Sequence, residues 1–401
     1  MTSSGIRFPS VAEAAGRTLG EEELAALARV VESGMLSGVW GGEVPALEAA
    51  MARLHGVAHA VACSSGTAAI HLAVAGLGLD PGDEVITSPI SDFGSVAPIL
   101  ACNAVPVFAD VDPVTGNLDP AAVAAAIGPR TRAILAVHLF GAAAPVAALR
   151  ALADEHGLAL VEDCAQAWLT RTGEDRLAGT TGVAGCFSLQ QWKHITCGDG
   201  GLVITDDAAL ARRLRLFADK GWPRETGRHH VSFGLNYRMT ELQAAVAGAQ
   251  LTKLPGVLAA RRRLAARLVD ALAGLPGLTV PRDVERHAWW LFPLVLDPGG
   301  PDNREFAAGL TEAGVPARAG YLNEGLHCAP AVTTAPVYGS SRYPLTSPPA
   351  DRVPRYGPGT CPVAEELIDR TLVVVDWNER YTDEHVDVIA RAVTDLAGRS
   401  R

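Results

Sequence analysis

Gly185-Cys-Phe-Ser-Leu-Gln-Gln-Trp-Lys-His-Ile-Thr-Cys-Gly-Asp-Gly-Gly201 is the stretch on which the reading of this chain turns, and Lys193 is its centre. Lys193, Lys220 and Lys253 are the only lysines among 34 Lys and Arg residues. Where arginine carries the surface charge a lysine is informative, because it can lose its proton and form a Schiff base. Lys193 sits among Phe187, Leu189, Trp192 and Ile195, and an apolar setting lowers an amine's pKa. Lys220 and Lys253 have charged or turn-like neighbours. The plainer reading of Lys193 is a surface lysine on a loop, and the rest of the chain must decide. The turn Cys197-Gly-Asp-Gly-Gly201 leads into Leu202-Val-Ile-Thr205, a strand, so the two segments that flank Lys193 form a hairpin-like pair.

Upstream, the pattern alternates strands and helices. His59-Ala-Val-Ala-Cys63 reads as a buried strand, Ser64-Ser-Gly-Thr67 as a tight connection, and Ala68 to Gly76 as an apolar helix. Small residues before a helix N-terminus let backbone N–H groups approach an anion such as a phosphate, though the same pattern also serves as an ordinary N-cap. Strands follow at Glu84 to Thr87, Val105 to Asp110, Ala133 to Val137 and Ala159 to Glu162, with helices at Ser91 to Leu100, Pro120 to Ile127 and Pro145 to His156. Repeated βα units predict a mainly parallel sheet with helices on both faces, whose ligands sit beyond the carboxyl ends of the strands. Ser64 to Thr67, His138 and Asp163 fall at strand ends and are candidates for one cleft. Behind an aliphatic strand Asp163 is desolvated, so it calls for a cationic partner or caps a helix.

Ahead of this pattern lie an arm over residues 1 to 20, a helix over Glu21 to Ser33, a glycine-rich loop over Met35 to Gly42 and a helix over Val44 to Leu54. Beyond Lys193, Gly221 to Gly234 is a candidate active-site loop, and Thr240 caps an alanine-rich helix. The composition changes at Leu254-Pro-Gly256. A helix over Val257 to Leu272, a strand over His287 to Leu296, a helix over Asn303 to Ala313 and a closing run from Ala364 predict a smaller α+β domain. The division is therefore 1–253 and 254–401. A net charge of −10 argues against nucleic acid, which needs a basic face. Seven cysteines show no paired spacing, and the chain shows neither a signal-peptide order nor about 18 continuous apolar residues, so a cytoplasmic protein without a membrane span is expected.

Ser-Gly-Thr-Ala at 65 to 68, Pro-Gly-Asp-Glu-Val at 81 to 85, Pro-Val-Phe-Ala-Asp-Val-Asp at 106 to 112, Glu-Asp-Cys-Ala-Gln-Ala at 162 to 167, Phe-Ser at 187 to 188 with Lys193 and Gly-Asp-Gly-Gly, and Asn-Tyr-Arg-Met-Thr-Glu-Leu-Gln-Ala-Ala at 236 to 245 occur in that order. With them the chain resembles the DegT/DnrJ/StrS family of sugar and cyclitol aminotransferases from about Leu19 to Val393. The resemblance implies an α/β protein of fold type I, a large domain with a mainly parallel sheet plus a smaller C-terminal α+β domain.

It implies pyridoxal 5′-phosphate as cofactor, with pyridoxamine 5′-phosphate as its alternate form, and no metal. Lys193 would hold the cofactor and carry the proton, and Asp163 would pair with the pyridine nitrogen. Gln166 would meet the ring oxygen. Gly66, Thr67 and Ser188 would receive the phosphate, with Asn236 arriving from the second subunit of a homodimer, and Ser65 and Phe93 are further cofactor contacts. Asp92 stands where many members carry a ring that stacks on the pyridine, and the expected stacking residue is Phe93, one position on.

The implied reaction moves an amino group from glutamine or glutamate to a keto sugar or keto-cyclitol in specialised, antibiotic-type metabolism. Ser-Leu-Gln-Gln-Trp-Lys before the turn looks closer to the cyclitol members, because nucleotide-sugar members often have an aromatic-proline pair there. The alternatives are a nucleotide-linked keto sugar as acceptor, or a dehydration or carbon–carbon reaction on the same scaffold. Trp40, His230, Tyr321 and His327 are the candidate acceptor contacts. A Rossmann dehydrogenase is disfavoured, since no G-x-G-x-x-G follows the first strand.

Overall fold

The computed structural model describes residues 5–399 apart from 174–175, 226, 347–348 and 350–352; the first four residues of the expected arm lie outside it. The first strands are β1 (His59–Cys63), β2 (Glu84–Thr87), β3 (Val105–Phe108), β4 (Thr131–Val137), β5 (Ala159–Asp163), β6 (Ala184–Ser188) and β7 (Gly201–Thr205). They make one sheet in the order β1-β7-β6-β5-β4-β2-β3. Pairing is parallel from β3 through to β6, and β7 runs antiparallel to both β6 and β1. Among the described residues, the α-helices around it are α1 (Glu21–Ser33), α2 (Glu43–His55), α3 (Gly66–Gly76), α4 (Ala97–Ala101), α5 (Pro120–Ala126), α6 (Val146–His156) and α7 (Ala208–Ala218). Strand side chains alternate between faces. Val85, Leu135 and Val161 pack with Leu72 of α3 on one face, while Ile86, Ile134 and Leu160 pack with Leu149 of α6 on the other.

This topology gathers the site. Because β7 is reversed against both neighbours, Cys63, Ser188, Asp163, Val137 and Thr87 all end on one rim. Ser65 begins α3 from that rim, its Oγ accepting the Ala68 N–H at 3.0 Å. The Lys193 loop bridges β6 and β7 above it.

α8 (Glu241–Ala271) differs from expectation. Thr240 caps it as the sequence predicts, and Gln243 Oε1 accepts the Thr240 N–H at 3.0 Å to complete a capping box. The helix does not stop at Leu254-Pro-Gly256; it continues for 31 residues with Pro255 inside. An interior proline costs roughly 3 kcal/mol. Leu251, Leu254, Val257 and Leu258 are buried around it and offset that cost, at about 1.5–3 kcal/mol for each fully buried leucine.

A second sheet follows, built from β8 (Leu278–Thr279), β9 (Leu291–Leu296), β10 (Ala317–Ala319) and β11 (Leu372–Asp376) in the order β10-β11-β9-β8, antiparallel throughout. Its helices are α9 (Asn303–Glu312), the short α10 (Pro330–Thr333) and α11 (Pro362–Glu366), and α12 (Asp383–Arg399). The strand expected from His287 pairs only from Leu291. Trp289 takes φ +55°, its ring stacked on His287 at 4.1 Å and Phe292 at 5.0 Å, and Arg261 Nη1 donates to its carbonyl at 2.8 Å. The helix expected over Ser91 to Leu100 is a 3₁₀ turn, Phe93–Ser95, followed by α4. The arm lies against the second sheet's helices, with Phe8 edge-on to Tyr381 at 5.1 Å. Among the described residues no helix is long and apolar enough to cross a membrane.

Candidate active site

A cavity of about 370 Å³ opens at the strand-end rim, walled by Ser65 to Thr67, Asp92, Asp163, Ser188, Lys193 and Tyr321, with Trp290 from just before β9 and Arg318 from β10. Lys193 Nζ lies 4.1 Å from the centre of the Trp290 ring. Burial lowers its pKa to about 8, against the opposing pull of Asp163 and Asp92. Near neutral pH this amine is therefore a usable base and nucleophile. The other two lysines are held elsewhere: Lys253 pairs with Glu22 at 3.0 Å and Glu23 at 2.8 Å, and Lys220 with Asp219 at 3.1 Å. In protein free of small molecules, the rate at which Lys193 reacts with an added aldehyde should rise with pH and reach half its maximum near pH 8, because only the neutral amine reacts. Mass mapping of borohydride-fixed adducts checks this, and a midpoint at an ordinary lysine's 10.5 would contradict it.

Asp163 ends β5 facing the cavity. Burial raises its pKa, while the Ala165 N–H at 3.0 Å, the Ser95 hydroxyl at 2.8 Å and Lys193 partly counter it. The carboxylate is thus buried with neutral donors and one amine, an environment with room for a further cation. Glu162, one residue earlier, points the opposite way. It accepts the backbone N–H groups of Gly179, Thr181 and Gly182 at 2.9, 2.7 and 2.6 Å and lies 2.9 Å from His138 Nε2. His138 therefore does not join the cleft. Its ring belongs to the Glu162 network, with Nδ1 accepting the Ala144 N–H at 3.0 Å.

At the start of α3 the walls require glycine. A Cβ on Gly66 would lie 2.7 Å from Ser188 Cβ, and one on Gly94 would lie 2.7 Å from Thr67 Oγ1. Backbone and hydroxyls from Ser65, Thr67 and Ser188 thus surround the N-terminus of an 11-residue helix, a setting that favours an anion. The donor set fits pyridoxal phosphate: a cradle for its phosphate, a buried carboxylate for its protonated ring nitrogen and a lysine for its aldehyde.

Other expected residues lie elsewhere. Phe93 does not line this cavity. Asp92 Oδ1 accepts the Gly94 N–H at 2.7 Å, and this turn leaves Asp92 on the cleft side and swings Phe93 into a separate cavity beside His71, Phe217 and Tyr237. Gln166 is one step removed, its Oε1 accepting the Phe140 N–H at 2.7 Å and its Nε2 donating to Tyr321 Oη at 3.4 Å. His327 is fully buried with Nε2 2.9 Å from Glu365, a packing role away from the cavity. Trp40 is 66% exposed near Arg224, and His230 Nδ1 lies 2.7 Å from the Lys220 carbonyl; neither lines the Lys193 cavity. Asn236 is exposed on a bridge to Asp219, outside its own chain's cavity. Tyr321 does line it, at φ +65°. Sequence reading missed Ser95, Trp290 and Arg318, and only Trp290, inside a predicted aromatic strand, carried a signal.

A profile of the DegT/DnrJ/EryC1/StrS aminotransferase family matches residues 17–354. The chain is 38% identical over 291 residues to the spore coat polysaccharide biosynthesis protein SpsC of Bacillus subtilis (strain 168), covering 70% of this chain and 74% of SpsC. Among solved structures, DesV of S. venezuelae is similar with a TM-score of 0.81 and 34% identity over 95% of each chain. A 3-amino-5-hydroxybenzoic acid synthase is similar with a TM-score of 0.83 and 28% identity, covering 98% of this chain and 99% of the synthase.

Proposed function

Because the chain belongs to the DegT/DnrJ/EryC1/StrS aminotransferase family and is a fold type I, pyridoxal phosphate-dependent aminotransferase, we propose that it moves an amino group from glutamine or glutamate to a keto-cyclitol or keto sugar in specialised metabolism. The observation that carries this reading is Lys193, an amine with its pKa near 8, set between the Asp163 carboxylate and the glycine-walled anion cradle. Pyridoxal phosphate, when bound, supplies an aldehyde that takes up the donor's nitrogen and a ring that draws in electrons from the carbon losing its proton.

The residues of this chain do the rest. Ser65, Gly66, Thr67 and Ser188, at the start of α3, would hold the phosphate. Asp163, oriented by Ser95 and the Ala165 N–H, keeps its charge against the ring nitrogen. Lys193 Nζ, placed in the cavity with a lowered pKa, would take up the proton lost by the donor's α-carbon and hold it inside the cleft for its return. Arg318, 2.6 Å from Asp376, is the guanidinium in the cavity wall among the described residues and can meet a donor carboxylate.

Under the arm lies a second space of about 260 Å³, edged by Trp192, Trp290, Trp377 and Tyr381 with Arg318 and Asp376; it shares Trp192, Trp290 and Arg318 with the Lys193 cavity. Flat apolar walls with a few polar groups suit a hydroxylated ring. A homodimer is part of the reading: Asn236 is exposed and outside its own chain's cavity, and in this reading it would reach into a neighbouring one. Seven free thiols suit a reducing cytoplasm.

The test is the visible spectrum of the holoenzyme with glutamine or glutamate alone, followed by a neutral keto-cyclitol or a nucleoside-diphosphate keto sugar. The expected result is a spectral change with one donor, release of its keto acid, and reversal by the cyclitol with donor nitrogen in the product. Reversal by the nucleotide sugar alone assigns the other acceptor class, and no change with either donor overturns the reading.

A further inference from the structure

The Lys193 loop is closed at its base, where the Leu189 N–H donates to the Gly200 carbonyl at 2.8 Å and the Cys197 N–H to the Leu189 carbonyl at 3.0 Å, while the carbonyls of Trp192 and Lys193 take donors from outside the loop. Trp290 Nε1 donates to the Trp192 carbonyl at 2.7 Å, and Arg17 Nη1 donates to the Lys193 carbonyl at 2.9 Å. Gln191 Nε2 reaches back to the arm, donating to the Val11 carbonyl at 2.7 Å.

Arg17 is not an ordinary arm residue. It is 4% exposed, and its Nε and Nη2 have no hydrogen-bond partner. Burying a guanidinium so incompletely satisfied is costly, so the position needs a compensating role. Burial also draws its pKa down to about 10, against the attraction of Glu379 and with Arg261 adding to the fall. Glu379 itself is buried, paired with Arg261 at 2.8 Å and left with an unpartnered Oε1. Asn378 Nδ2 donates to the Gly16 carbonyl at 3.0 Å. The arm at Gly16 and Arg17 is thereby wedged between the Lys193 loop and the chain that leaves β11.

We propose that Arg17 is a positioning residue for Lys193: its guanidinium fixes the Lys193 carbonyl and hence the direction in which Nζ leaves the backbone. The N-terminal arm is then a working part of the active site, and the second sheet, through Trp290 and the chain after β11, shares in aiming the amine. A shift of about 1 Å in a reacting group can cost on the order of 100-fold in rate.

The inference rests on the reading of Lys193 given above, and the test separates the two. The variants are Arg17→Met, which keeps length and loses the donor, Arg17→Gln, which keeps polarity but is too short, and Arg17→Lys, which keeps charge and reach. Exposed Arg7→Ala on the same arm is the control. For each holoenzyme kcat, donor KM, melting temperature and the rate of borohydride fixation of pyridoxal phosphate to Lys193 are measured.

The expected result is a kcat lowered about 10- to 100-fold in Arg17→Met and Arg17→Gln, donor KM nearly unchanged, fixation slowed in parallel, and most of the loss restored in Arg17→Lys. If Arg17→Met does not fold, Arg17→Gln carries the comparison. Variants that melt earlier yet keep the parent kcat and fixation rate overturn the role of Arg17. Absence of fixation at Lys193 in the parent enzyme overturns the site reading instead.

Discussion

Lys193→Ala is expected to lower kcat by roughly four orders of magnitude, the upper range for a positioned proton-transfer group that also binds the reactant covalently. No other lysine reaches the cavity: Lys220 and Lys253 are both ion-paired outside its lining. The fold should survive. The folded pKa of about 8 lies below the ordinary 10.5, so at neutral pH the unfolded chain holds this proton more readily and the charged side chain opposes folding. Replacing it removes that penalty, which is fully present below about pH 8 and fades as pH rises from there toward 10.5. Turnover by product release, borohydride fixation by mass, and melting temperature at pH 7 check the prediction together. A variant that retains a hundredth of the parent turnover would sink the assignment.

The second large effect falls on stability. Glu162→Ala is expected to cost roughly 3–5 kcal/mol in urea unfolding, the range for removing one partner of a buried charged network. Three backbone N–H groups and the His138 ring lose their acceptor at once, in a site with no solvent access. Glu162→Gln keeps the shape and one acceptor oxygen, so its cost should be smaller, about 1–3 kcal/mol.

Acid behaviour gives an independent sign. Burial alone pushes the Glu162 carboxyl up, but His138 and the Gly182 and Gly179 N–H groups outweigh it and leave it lowered. A depressed carboxylate contributes stability that is fully present above its unfolded value, about 4.3, and is lost as pH falls through the folded one. Glu162→Gln should therefore flatten the stability profile below about pH 4. Unfolding midpoints within error of the parent for both variants would show that the network does not hold the rim.

Much of this was legible in the sequence, for reasons that can be named. Strands and helices alternate with strong periodicity, and the parallel strands send their ends to one rim, so Ser64 to Thr67 and Asp163 could be gathered without coordinates, while Ser188 and Lys193 were joined to them by the family resemblance. The misplacements came from single hydrogen bonds or from strand parity. One bond, Asp92 to the Gly94 N–H, decides which of Asp92 and Phe93 faces the cleft. His138 was grouped with Asp163, although Glu162 stands between them on the opposite face and claims the imidazole. His327, in a loop-rich span without periodicity, turned inward to Glu365. Ser95, Arg318 and Arg17 reach the site across large sequence separations, and an isolated serine or arginine in a run of ordinary residues carries no mark of that. Pro255 misled in another way, because local propensity announced a stop that the leucines around it override.

That uninterrupted α8 has a consequence for how the molecule is put together. Leu254 and Leu258 sit in the core beneath the first sheet, and Leu264 and Leu268, a few turns on, sit in the core of the second. One rod therefore contributes to both cores, and it runs unbroken through Leu254-Pro-Gly256. Exchanging lobes with a relative would place the joint inside a helix, where register and rotation must match to a single residue. The two halves inherit each other's geometry, and the orientation of Trp290 and Arg318 toward Lys193 is set by a shared beam rather than by a linker.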